Sequence, residues 1–171
     1  TPFLQEQSPE RWLKSAFVEL HRVFESFTGS MLVSVVLGLV DDETGTLYYI
    51  HADHPRLILY RGGVAQFLTA SQHLVKLGMT LLDRTILVET FRLEIGDVVI
   101  AGSDGRDDIL IFHPQSGLPM MNEDEDRILE HVSKSKAVLS ELVRGIENTG
   151  QITDDLSFSR TQYPQSRTTL Y

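Results

Sequence analysis

Asp97-Val-Val-Ile-Ala-Gly-Ser-Asp-Gly-Arg-Asp-Asp-Ile-Leu110 runs from an apolar strand straight into a cluster of carboxylates. Val98, Val99, Ile100 and Ala101 read as a short buried strand, and Gly102 and Gly105 bracket Asp104 where the chain must turn sharply. A carboxylate at the end of a core strand is costly to keep unless it has a cation to hold. Much later, Gln151-Ile-Thr-Asp-Asp-Leu-Ser-Phe-Ser-Arg160 has the mirror arrangement, with acidic residues leading into an alternating strand. Two acidic turns on two strands suggest one shared metal.

Upstream, Thr85 to Leu93 reads as a strand and Glu94 to Asp97 as the turn that feeds the opening segment. Leu57 to Tyr60, Arg61-Gly62-Gly63 and Val64 to Leu68 read as a hairpin, and Thr69 to Arg84 as mostly loop. Met31 to Val40 is a long run of Val and Leu, expected as a strand buried on both faces or nearly so. It pairs through the turn Asp41 to Gly45 with Thr46 to Ile50 as an antiparallel hairpin, and the acids of that turn read as a solvated loop rather than a calcium site. Before it, Ser8 caps a helix that starts on Pro9. Leu13, Phe17, Leu20, Phe24 and Phe27 form its apolar stripe, Trp12, Ala16 and Val23 widen the stripe, and Gly29 closes it.

Downstream, Ile109 to Phe112 reads as a short buried piece. Asn122 is placed to cap a helix, with Glu125 reaching back, that runs to about Val132. A second helix, about Ser135 to Asn148, is expected to bury Val138, Leu139, Leu142, Val143 and Ile146. Leu156 to Arg160 is the last strand, and Thr161 to Tyr171 reads as a tail. Many antiparallel strands with helices grouped near the start and end give an α+β class.

The 171 residues allow one domain with a sizeable core, and a 42% hydrophobic fraction suits a globular chain. No apolar run approaches the ~20 residues that a membrane span needs. A net charge of −9 argues against a nucleic-acid partner, which calls for a basic face. The lack of cysteine excludes a disulfide, a thiolate nucleophile and a cysteine zinc site, and suits a cytoplasmic domain. There is no signal-peptide pattern, and a chain opening on Thr1 reads as a trimmed one.

Carboxylate oxygens are the ligands that magnesium and manganese prefer. Asp104 is the first candidate, with Asp154 or Asp155 supplying a second oxygen from the other strand end. Two ions about 3.5–4 Å apart would activate water and hold phosphoryl oxygens, with no cysteine or serine triad required. The same residues also fit an ordinary Ser-Asp-Gly turn and a strand-leading cap. Arg106, Asp107 and Asp108 suit either a contact to substrate or a helix start, although the two acids would repel phosphate. His113 and His131 read as surface residues.

Taken together, Gly45-Thr-Leu-Tyr-Tyr-Ile-His-Ala-Asp-His-Pro55, Leu93-Glu-Ile-Gly-Asp-Val-Val-Ile-Ala-Gly-Ser-Asp-Gly105 and Thr153-Asp-Asp-Leu-Ser157 resemble, in order and spacing, the PPM-type metal-dependent serine/threonine phosphatases. The branch they resemble is the bacterial SpoIIE/RsbU-like one. The resemblance implies a sandwich of two antiparallel sheets flanked by helices, in α-β-β-α layers, with residues 1–160 as the domain and 161–171 as its tail. It implies hydrolysis of phosphoserine or phosphothreonine on a small regulatory protein of the STAS type, using two Mn2+ or Mg2+ ions. By position, Asp104 and Asp154 match metal ligands, while Gly105, Asp155 and His54 match residues that support the site. Asp53 stands where the family has the glycine of a Gly-His-Pro turn, and His51 where it has an asparagine.

The family's first metal-binding aspartates lie upstream of the helix at Ser8. The expectation is therefore a domain lacking its N-terminal part, from a longer protein with an upstream sensor or regulatory domain. A homodimer is compatible with this reading, and so is a catalytically degenerate domain that serves as a binding module in signalling.

Overall fold

The computed structural model describes residues 8–71, 74–79, 86–113, 115 and 117–164. In chain order the elements are α1 (Pro9–Glu25), β1 (Val35–Asp41), β2 (Thr46–Ala52), β3 (Ile58–Arg61), β4 (Val64–Phe67), β5 (Glu89–Arg92) and β6 (Val98–Gly102). A 3-10 turn (Asp104–Arg106) follows, then β7 (Ile109–Phe112), β8 (Pro119–Met121), α2 (Arg127–Lys134), α3 (Leu139–Glu147), β9 (Gln151–Ile152) and β10 (Phe158–Gln162). The expected α+β class with antiparallel sheets is what forms. Its strands hydrogen-bond in three sheets, ordered β1-β2-β5, β10-β6-β3-β4 and β8-β7-β9. The chain divides into two compact units, Thr1–His54 with Ala70–Glu94, and Pro55–Thr69 with Ile95–Tyr171.

In the first unit, α1 starts as expected: Ser8 Oγ accepts from Arg11 N at 3.3 Å, and Pro9 occupies the first turn. Leu13 and Phe17 are buried, with His21 in line behind them and stacked near the Phe17 ring. Leu20, Val23 and Phe27, expected in the core, are exposed instead. The reason is angular: at 3.6 residues per turn they lie to one side of the Leu13–Phe17–His21 line, and it is Leu13 and Phe17, flanked by the partly buried Trp12 and Phe24, that meet Ile50, Ala52, Leu74 and Leu77. The strand expected from Met31, buried on both faces, begins only at Val35 and is half-buried, because β1 is the edge of its sheet. The central strand β2 carries the burial.

The Asp41 carboxylate accepts from Glu43 N at 3.0 Å and from Thr44 Oγ1 at 2.7 Å, so this turn satisfies itself. Within the span read as loop, Leu77 bridges to Val33 and Leu74 to Ala52. β5 pairs with β2 over Glu89 to Arg92 only, and Thr85 lies outside the described residues. Asp53, which the resemblance sets at the place of a glycine, has φ +44°. Aspartate is among the few residues that tolerate this left-handed conformation.

In the second unit β6 lies between β10 and β3, with Ile58 opposite Ile100 and Phe158 opposite Gly102. Gly62 and Gly63, at φ +57° and +91°, make the two-residue turn that joins β3 to β4. Asp97 is buried and held by Arg61, Nε to Oδ1 at 2.8 Å and Nη2 to Oδ2 at 2.6 Å. Ile100, Ile109, Ile128, Val132, Leu142 and Ile146 share one core.

α2 starts at Arg127 rather than near Asn122. The Asn122 and Asp124 side chains accept from Asp124 N and Asp126 N at 3.4 and 3.1 Å, closing local turns that compete with helix. Val138, expected to be buried, precedes α3 and is exposed. Thr161 and Gln162, expected in a tail, belong to β10, and Tyr163 N donates to Asp97 O at 2.9 Å. The end of that tail, 165–171, lies outside the described residues.

Candidate metal centre

The antiparallel pairing of β6 with β10 brings the two acidic turns to the same sheet end. Just beyond the last pair a serine clamp takes over. Ser103 N donates to Ser157 O at 3.0 Å, Ser157 N to Ser103 Oγ at 2.9 Å, and Ser103 Oγ to Asp155 O at 2.8 Å. Thr153 adds two bonds to Asp108 O, from its N at 3.0 Å and its Oγ1 at 2.9 Å. The backbones approach so closely that a Cβ on Gly105 would sit 2.5 Å from Asp155 O and 3.0 Å from Asp154 O. Only glycine fits there without separating the segments.

The chain after Ser103 coils into the 3-10 turn, with Asp107 N and Asp108 N donating to Asp104 O at 2.8 and 3.2 Å. That coil puts Asp108 on the same side as Asp104. One carboxylate oxygen from each of Asp104, Asp108 and Asp154 lies within 4.8 Å of the others. Asp154 Oδ1 also accepts from Asp155 N at 2.7 Å. Among the described residues none of the three pairs with a lysine or arginine. Like charges this close repel, so the arrangement suits a cation between them. Three hard oxygen donors, Asp104 and Asp154 exposed and Asp108 half-buried, fit magnesium or manganese, which keep water in their remaining positions.

Arg106 does not neutralise the cluster. It is buried, donating from Nε to Asp107 Oδ2 at 3.1 Å and from Nη1 to Arg56 O at 2.9 Å. Burial lowers the Arg106 pKa and raises that of Asp107, and in each case the partner's charge only partly opposes it.

The structure thus brings together Asp104 and Asp154 as expected and adds Asp108, read from sequence only as a repulsive neighbour. The i, i+4 spacing of Asp104 and Asp108 was the available signal, usable only once a helical turn is placed there. Asp155 contributes its backbone carbonyl, not its carboxylate, and Gly105 contributes the close approach. His54 belongs to the first unit and supplies no member of the carboxylate set. His131, read as a surface residue, is half-buried, with Nε2 3.2 Å from Thr149 Oγ1.

Residues 3–163 match the family model described as Stage II sporulation protein E (SpoIIE). No curated protein matches the chain. Among solved structures, the RsbU and RsbW domains of a Mycobacterium tuberculosis protein are similar at 18% identity and TM-score 0.65, over 94% of this chain and 43% of that one. The phosphatase domain of the cell fate determinant SpoIIE from Bacillus subtilis is similar at 17% identity and TM-score 0.55, over 94% and 70%. The PPM Ser-Thr phosphatase MsPP from Mycobacterium smegmatis, in complex with cacodylate, is similar at 17% identity and TM-score 0.57, over 91% and 75%. At these identities the likeness is one of fold.

Proposed function

Because the chain belongs to the SpoIIE family of PP2C-type phosphatase domains, we propose that it serves the metal-dependent hydrolysis of phosphoserine or phosphothreonine on a small regulatory protein of the STAS type. The observation that carries this reading is the convergence of Asp104, Asp108 and Asp154, three carboxylates from two distant segments, with no cationic side chain between them among the described residues. In this reading the three aspartates hold Mn2+ or Mg2+. A divalent ion there supplies Lewis-acid activation of water and positive charge for the phosphoryl oxygens. The chain's own part is placement. Ser103 ties the two strand ends, Gly105 lets them touch, and Thr153 fixes Asp108 through its backbone oxygen.

Calorimetric manganese titration and phosphate release from a phosphorylated STAS protein test the proposal together. Asp104→Asn should weaken manganese binding at least about tenfold, the scale of losing one charged ligand interaction, and abolish turnover. With no metal present the same variant should melt at or above the parent, since one like charge is gone. Full turnover by Asp104→Asn would overturn the reading. Capture of the phosphorylated partner without manganese binding would identify a binding module instead.

A further inference from the structure

The ladder beside Asp108 sets the side on which its carboxylate leaves the chain. β7 and β9 pair Leu110 with Gln151 and Ile109 with Ile152, and the next rung is made by Thr153, whose N and Oγ1 donate to Asp108 O at 3.0 and 2.9 Å. Side chains alternate across a strand, so Asp108 shares a face with Leu110 and Phe112, while Ile109 and Ile111 turn to the core. The pairing of β7 with β8 sets Met121 opposite Leu110 and Pro119 opposite Phe112, on that same face. All of these residues belong to the second unit.

This face is apolar and open. Phe112 is 72% exposed, Met121 is 42% exposed, and Pro119 is exposed beside them. Aromatic side chains and methionine are enriched in protein interfaces. Phe112 follows Asp108 by four residues of extended chain, a span of about 13 Å. A folded protein that delivers a phosphoresidue to the carboxylates covers about 800 Å² around the point of contact, a patch about 16 Å in radius, and the face lies inside it. Past β8, Asn122 N donates to Ile109 O at 2.8 Å, so the exposed acids Glu123, Asp124, Glu125 and Asp126 border the face at its end nearest the cluster. A partner seated there is matched best by cations across from them.

We propose that the outer face of β7 and β8, built by Leu110, Phe112, Pro119 and Met121, is the docking surface for the phosphoprotein substrate. The substrate meets it with an apolar patch bordered by lysine or arginine, next to its phosphoserine or phosphothreonine. The proposal rests on the reading of the carboxylates as a phosphatase centre, and it says how that centre selects a protein over a small phosphate ester. The apolar contact supplies affinity, and the acidic border sets the orientation and rate of encounter.

The test is calorimetric titration of an unphosphorylated STAS-domain protein, which is not consumed, into the manganese-loaded full chain, beside a manganese titration of each sample. Phe112→Ser should weaken the affinity for the STAS protein about tenfold or more, and Met121→Ser about threefold or more, with manganese affinity unchanged. Both side chains are exposed, so the fold is spared. Ile95→Ser, at an exposed apolar residue before β6 and so at the strand end away from the cluster, should change nothing. Raising salt from about 50 to about 300 mM should weaken binding severalfold, as the acidic border is screened. In turnover of the phosphorylated form, Phe112→Ser should raise KM by the same factor with kcat held within about twofold, whereas a disturbed metal centre would lower kcat. Equal affinity in Phe112→Ser and the parent, or no binding by either, with manganese bound, would overturn the docking surface and leave the metal centre standing. Loss of self-association in Phe112→Ser, with affinity for the STAS protein intact, would give the face to a second copy and overturn it likewise. Failure of the parent chain to bind manganese would overturn the phosphatase reading beneath it.

Discussion

Gly105 carries no functional group, yet the carboxylate cluster depends on it. An added methyl would meet Asp155 O at 2.5 Å, inside contact distance, and the atoms it meets belong to the Asp154 and Asp155 backbone, which cannot swing aside. Gly105→Ala should cost about 1–3 kcal/mol of stability, measured by urea unfolding, and should weaken manganese binding as well. Unchanged values for both would mean the segments separate without consequence. A second residue-scale case is Arg61, which holds the buried Asp97 by two bonds. Arg61→Ala should cost about 3 kcal/mol or more, since it strips both guanidinium bonds from a buried carboxylate. Thermal or urea unfolding reads the loss directly, and a change under about 1 kcal/mol, the scale of an exposed pair, would contradict it.

Among the elements, α2 shows how local chemistry moves a boundary. Asn122 and Glu125 resemble a capping box, but Asn122 and Asp124 spend their side chains on turns and delay the helix to Arg127. The same helix presents His131 to Thr149 and to Gly145, where a Cβ would lie 3.1 Å from Nδ1. Burial depresses the His131 pKa below its usual 6.5, with Lys134 and Arg127 adding to the effect. The unfolded chain therefore binds this proton first. Stability from His131 is fully present above about pH 6.5, is lost as pH falls toward the lower folded value, and is flat below it. His131→Gln should remove that slope, seen by urea unfolding at several pH values between 7.5 and 5 as in any linkage measurement of about this range. An identical slope in the variant would assign it to other groups.

At the scale of the whole molecule, the chain carries a net charge of −9 and gathers three of its carboxylates at one sheet end. Bound manganese should raise the melting temperature in proportion to RT ln(1 + [L]/Kd), about 2.7 kcal/mol at a hundred times Kd. Chelation should reverse the rise, and Asp154→Asn should blunt it. A melting curve indifferent to manganese would argue against a built site.

The sequence alone determined the α+β class, the start of α1 at Ser8-Pro9, the β1–β2 and β3–β4 hairpins, and the two acidic turns at Asp104 and at Asp154-Asp155 as the places to watch. These follow from caps, turns and short-range periodicity, which are written locally, while the choice of Asp154 within its pair came from the family resemblance. Tertiary structure decided the rest. β8 and β9 are three and two residues long, too short for any period, and exist because β7 offers both edges to them. α1 turned His21 inward and Leu20 outward because a helix with apolar residues on a wide arc buries only the part that its sheet meets. Asp108 joined Asp104 and Asp154 because a 3-10 turn and a strand pairing more than fifty residues apart, Gly102 with Phe158, aimed them at one point. Which carboxylates converge is set by register between distant strands, and register is a property of the folded sheet.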